Sequence, residues 1–194
     1  MVHEPLAELF LLAHTGCVNL RPGYRVRQFW DALGSASRPV DEAVLRAHLN
    51  TAQIALFRCM SAAEQTHALA VLRTVEAEQG TGVGTALAQA ALLHDVGKAG
   101  GRIRLWHRVA RVLLQALHPA LLDRLALDEP HSWRYPLFVL LYHAERGANL
   151  SAGAGTDAVA VELIRAHHTV PAQCGLDAPG QALLAALQRA DEQN

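Results

Sequence analysis

The segment Ala91-Leu92-Leu93-His94-Asp95-Val96-Gly97-Lys98 runs an almost unbroken apolar stretch into an adjacent His and Asp, with the chain's only lysine just beyond. Adjacent helical residues point about 100° apart, so such a pair shares one ligand only near a helix end, where the backbone opens. Neutral imidazole nitrogen beside anionic oxygen suits first-row metals such as Mn, Fe, Co or Ni. An Asp closing so apolar a run is costly to bury unpaired, and a metal ion would satisfy it. Eleven His are present. His3, His14, His48, His107, His118 and His131 belong to no segment of ligand character and read as surface or satisfied core residues. His67, His94, His143, His167 and His168 differ: they sit at helix ends or in apolar contexts.

Leu92-Leu93-His94-Asp95-Val96-Gly97-Lys98 is similar to the signature of the HD superfamily of metal-dependent phosphohydrolases in its HD-x-GK form. That pattern is a His, the His-Asp pair and a distant Asp, each on a separate helix. By the resemblance, His67, His94, Asp95 and Asp191 are metal ligands. Tyr142-His143-Ala144-Glu145-Arg146-Gly147-Ala148 resembles a segment of the two-metal members, and Ile164-Arg165-Ala166-His167-His168 resembles another. This implies His143 and His167 as ligands of a second ion, with His168 either replacing His167 or lying just outside the ligand shell, against substrate. The resemblance spans about Ser61 to Asp191, roughly two-thirds of the chain.

The resemblance also implies the chemistry. Two divalent transition ions bridged by Asp95 would activate water for in-line attack on phosphorus and neutralise the phosphoryl oxygens. Lys98 would face the phosphate as a cation or a proton donor to the leaving oxygen. Sixteen of the seventeen basic residues are Arg, which is too weak an acid to donate a proton, so the retained Lys agrees with that role. Arg146 would bind a substrate phosphate bidentately. Arg102, Arg104 and Arg108 read as a solvated helix face or as the lining of an entrance at which Trp106 stacks a base. Gly97, Gly100 and Gly101 read as a flexible lip of the pocket. No Gly-Tyr-Pro follows His168, which argues against the cyclic-dinucleotide branch, and no synthetase half is present. The expected substrate is a small phosphate ester or anhydride, with a nucleotide or dinucleoside polyphosphate leading. A di-iron oxygenase and a regulatory module stabilised by its metal are the alternatives.

Helices must position these residues, because 3.6-residue periodicity recurs along the chain and strand alternation is nearly absent. An all-α, HD-domain helical bundle is expected. Val2–Thr15 and Arg25–Leu33 read as helices around a turn at Asn19–Tyr24. Asp41 caps the next helix, Thr51–Met60 follows, and Ser61 with Glu64 forms a capping box that opens a helix to about Glu78. Further helices are expected over Thr85–Asp95, Leu105–Leu117, Ala120–Leu127, Pro136–Ala144 with a continuation from Gly147 to about Ala152, Ala158–His168 and Pro179–Ala190. Residues 1–60 form an N-terminal helical segment that covers the core or builds an oligomer contact, and 61–194 form the phosphohydrolase domain.

Half the residues are apolar and the formal net charge is −1, so disorder and a basic surface for nucleic acid or anionic lipid are not expected. Three Cys without a CxxC pair suit reduced thiols in a cytoplasmic protein. The apolar run Leu6–Ala13 holds Glu8, follows no basic residue and is too short to span a bilayer. The expected partners are a small phosphorylated substrate and a second copy of the chain as a homodimer, with neither duplex nucleic acid nor a membrane.

Overall fold

Local capping sets most helix starts. A computed structural model describes residues 40–80 and 82–194; Val2–Thr15, Asn19–Tyr24 and Arg25–Leu33 lie outside them. Asp41 accepts from the Ala43 N–H at the start of α1 (Glu42–His48). Asn50 and Gln53 form a capping box on α2 (Thr51–Arg58). Ser61 and Glu64 form the expected one on α3 (Ala62–Gln79). Asp157 and Asp177 cap α8 (Ala158–Ala166) and α9 (Ala178–Gln193). Each such side chain satisfies an otherwise orphaned N–H in the first turn. Between them lie α4 (Thr85–Leu93), a 3₁₀ turn (Val96–Lys98), α5 (Leu105–Leu117), α6 (Pro119–Leu125), opened by its Pro, and α7 (Tyr135–Gly153). The described residues are all-helical, with no strand.

α4 is the central element: every residue from Leu87 to Leu93 is buried. It packs against α3, α8, α9 and α1. Burying each Leu or Val side chain here contributes about 1.5–3 kcal/mol before entropy costs are counted. Leu45, Leu49, Phe57 and Met60 belong to the same core as α3 and α4. α7 lies across the 3₁₀ turn and α8, while α5 and α6 form a hairpin against α7. The outer face of α5 leaves Leu105, Trp106, Val109, Leu113 and Leu117 exposed. Among the described residues no helix is long and apolar enough to cross a membrane.

Three elements differ from expectation near the chemistry. α4 stops at Leu93, not Asp95: His94 is its C-cap and Asp95 adopts φ −96°, ψ 0°. This is the opening that lets adjacent residues face one centre. α8 ends at Ala166, with His167 as its C-cap. α7 runs unbroken through Gly147. Gly147 sits against the 3₁₀ turn, where a Cβ on Gly97 would lie 1.9 Å from the His143 carbonyl oxygen and 2.6 Å from the Gly147 nitrogen. Gly97 is therefore a buried crossing point and not a flexible lip; the two missing side chains let the turn carrying Lys98 touch the α7 backbone. Gly101 is buried too. Of these three glycines, Gly100, at φ +73°, is the one that uses the backbone freedom of glycine, and Arg102 close by also lies in the left-handed region at φ +47°.

Candidate metal centre

Five helices deliver the candidate ligands to one place. His67 comes from the middle of α3, His94 and Asp95 from the end of α4, and His143 from α7. His167 and His168 come from the end of α8, and Asp191 from the last turns of α9. His67, His94 and Asp191 offer ligand atoms that all lie within 4.8 Å of one another, and so do His143, His167 and His168. Asp95 faces both groups: its Oδ2 is 3.8 Å from His94 Nε2 and its Oδ1 is 3.7 Å from His143 Nε2. His67 Nε2 lies 2.8 Å from Asp191 Oδ1, and His94 Nε2 lies 3.6 Å from the same oxygen.

The buried imidazoles share one orientation. Nδ1 of His94, His143 and His167 donates to a carbonyl three residues back, Ala91 at 3.0 Å, Leu140 at 3.1 Å and Ile164 at 2.6 Å. A carbonyl only accepts, so Nδ1 carries the proton and the Nε2 lone pair points inward. Backbone bonds of this kind fix the tautomer and ring plane of metal-binding His. Nε2 of His94 and of His167 is buried with no hydrogen-bond partner. Orphaned buried acceptors cost about 1–3 kcal/mol each, and a cation between them removes that cost. Nε2 of His168 lies 2.9 Å from Nε2 of His143. Two such nitrogens face each other only if one is protonated or a cation takes both lone pairs. His168 itself stands on the exposed rim.

Electrostatics favour the same occupant. Burial, and then the Lys98 ammonium, push His143 down to about 3. Burial, followed by the neighbouring His168 and His94, holds His167 well below the ordinary imidazole value. Both rings are thus neutral, the form that binds metal. Burial would raise the Asp95 carboxyl, but Lys98, His94, His143 and His167 together hold it well below the carboxylate range. Burial opposes ionisation of Asp191 as well, and His67 and His94 overcome it. For His94, burial lowers the value, yet Asp95 and Asp191 outweigh it and the net shift is upward. Ionised carboxylates beside the neutral imidazoles of His143 and His167 make a donor set for a first-row divalent ion. The described residues fit one or two such ions.

Lys98 folds back from the 3₁₀ turn, its Nζ 2.6 Å from Asp95 Oδ2 with little of the side chain exposed. It is no solvated helix-end lysine. Arg146 is placed differently from the reading as a phosphate ligand. Its Nη1 donates to Gly97 O at 2.6 Å, and its guanidinium lies 5.6 Å from the Tyr135 ring centroid. It braces the turn that carries Lys98. Arg108 pairs with Glu64 at 3.7 Å, and Trp106 stacks on His107 with centroids 3.6 Å apart. His107 is buried and accepts from the Arg104 N–H, in keeping with a satisfied core His. The Gly97–Gly147 crossing went unread in the sequence, although the glycines of the two motif-like segments were its signal.

No family model matches the chain, and neither a curated protein nor a solved structure matches it.

Proposed function

We propose that this chain is an HD-type metal-dependent phosphohydrolase acting on a small phosphate ester or anhydride, with nucleotides the leading class. One observation carries the reading. Two three-residue donor groups flank Asp95, whose two oxygens face one group each, and the sole lysine is docked on that same carboxylate. His67, His94 and Asp191 would hold one ion and His143, His167 and His168 the other, with Asp95 between. Bound divalent ions supply Lewis acidity and a water acidic enough to attack phosphorus at neutral pH.

The chain's own residues account for the rest. The backbone-anchored rings of His94, His143 and His167 are set before any ligand arrives, so little reorganisation is needed. Lys98 reaches the centre from the 3₁₀ turn and is the one ammonium able both to neutralise a phosphoryl oxygen and to pass a proton to the leaving oxygen. Its present partner is Asp95; a phosphate arriving there competes for the same ammonium. His168, on the rim, is next to the path by which an anion enters. Lys98, an ammonium placed to meet a phosphoryl oxygen, favours the hydrolytic reading over an oxygenase.

The test is a panel of nucleotides and sugar phosphates assayed with protein loaded with Mn, Fe, Co or Ni, in parallel with chelator-treated protein. Phosphate release that disappears on chelation is the expected result. No release from any ester, together with dioxygen consumption by a reduced iron-loaded form, would replace this function with the oxygenase.

A further inference from the structure

We infer that Gln188 is a positioning residue of the candidate metal centre: from α9 it clamps the turn that presents His168, and so decides whether the second donor group has three members or two. The inference rests on the reading of the His-Asp cluster as a metal centre, and it gives Gln188 no contact with substrate or ion.

A helix end leaves carbonyl groups that the helix itself cannot satisfy. α8 ends at Ala166, and His167, His168 and Thr169 form the turn beyond it. Gln188 Nε2 donates to two carbonyls of that turn, His167 O at 3.1 Å and Thr169 O at 2.7 Å. Carbonyls only accept, so the amide nitrogen is the atom that faces them, and both of its N–H groups are used. The two carbonyls bracket His168. From the other side the Thr169 N–H closes the turn by donating to Ala166 O at 2.6 Å. Gln188 starts from a fixed backbone, because Leu187 and Ala190 beside it belong to the core.

His168 needs this support more than its neighbours do. The rings of His94, His143 and His167 are each anchored through Nδ1 to a carbonyl three residues back. His168 has no such anchor. Among the described residues its ring makes one hydrogen-bonding contact, Nε2 to Nε2 of His143 at 2.9 Å. It is also the exposed member of its group. An exposed side chain on a turn has backbone and rotamer freedom to lose when it takes an ion. A clamp on both flanking carbonyls removes the backbone part of that cost before the ion arrives. Gln188 also stands three residues before Asp191, on the same face of α9. One helix thus supplies a ligand to the first donor group and the support of a ligand in the second.

The probe is cobalt(II), followed by its visible absorption as it is titrated into the full chain freed of metal by chelation. His168→Ala identifies the ion that depends on this ligand. Gln188→Met keeps the length of the side chain and removes both N–H donors. It should weaken that same ion by about ten- to a hundredfold, the loss typical of removing a partner that orients a ligand, and leave any other ion within about twofold. The double variant should bind no more weakly than His168→Ala alone, because Gln188 acts through His168. Gln181→Met is the control: it removes another amide bond of α9, to Leu176 O at 2.8 Å, about 15 Å along the helix axis from Asp191. It should leave every affinity unchanged. Wild-type affinity in Gln188→Met, losses that add in the double variant, or an equal loss in Gln181→Met overturns the inference and leaves the metal centre standing. Cobalt uptake that His168→Ala does not weaken does the same. A wild-type protein that takes up no cobalt overturns the metal centre, and the role of Gln188 with it.

Discussion

His67 and Asp191 stand 124 positions apart in sequence and meet at 2.8 Å, Nε2 to Oδ1, closing the far side of the candidate centre. The contact ties the middle of α3 to the last turns of α9. It also holds the Asp191 carboxyl ionised, with His94 assisting. Asp191→Asn keeps the shape but removes the charge. In protein loaded with Mn, this variant should lose most of the ion held by His67 and His94, because a neutral carboxamide replaces the anionic oxygen donor. Metal-dependent thermal stabilisation reports it: the variant should gain less than wild type on adding Mn. An equal gain would remove Asp191 from the ligand set.

Gly97 and Gly147 give a prediction that does not involve metal. A methyl on Gly97 meets the His143 carbonyl at 1.9 Å, so backbone has to move. Gly97→Ala should cost about 1–3 kcal/mol or more, the range for overpacking. Gly147→Ala meets its nearest atom, Gly97 N, at 3.1 Å, and the strain is offset by about 1 kcal/mol of helix propensity inside α7. Urea unfolding should therefore separate the two, with Gly97→Ala much the less stable. Equal midpoints would mean that the crossing is looser than described.

These particulars show what the sequence carries. Asp41, and Ser61 with Glu64, announced their helices because a cap is a local bargain between one side chain and the next few N–H groups. The ends of α4 and α8 were less legible. There the chain leaves the helix early so that His94, Asp95, His167 and His168 can turn inward, and the cause is tertiary. Nothing local marks Asp191 as a partner of His67; only the motif resemblance joined them. The helices expected over Val2–Thr15 and Arg25–Leu33 lie outside the described residues.

Buried neutral imidazoles make the metal-free protein sensitive to mild acid. His143 is pushed down to about 3 and His167 well below 6.5. Below pH 6.5 the unfolded chain protonates both while the folded one does not. The unfolded state then binds more protons, and stability falls as pH drops. His94 is shifted upward and opposes this in part. Asp95 and Asp191 stay ionised in both states until pH nears 3.8 and add nothing in this window. Between pH 7 and 5 the metal-free protein should lose about 1–3 kcal/mol, from up to 1.36 kcal/mol per unit for each histidine. The urea midpoint at the two pH values checks it, and a midpoint that rises towards pH 5 would show that the rings are not held neutral.

Lys98→Met tests the division of labour between holding metal and turning over substrate. The substituted side chain retains length without charge. Metal content should stay near wild type, while the rate of phosphate release falls by roughly two to four orders of magnitude, as for loss of a general acid or a transition-state charge contact. Parallel elemental analysis and steady-state assays separate the outcomes. Wild-type turnover in this variant would return Lys98 to a structural ion pair with Asp95.

The central claim is that these His and Asp side chains form a metal centre, and elemental analysis after loading with Mn or Fe and exhaustive buffer exchange addresses it most directly. Wild-type protein should retain one to two ions per chain, as the two donor groups imply. Asp95→Ala, which removes the carboxylate between them, should retain little. Less than one ion per chain in wild type, or an unchanged content in Asp95→Ala, would contradict the account.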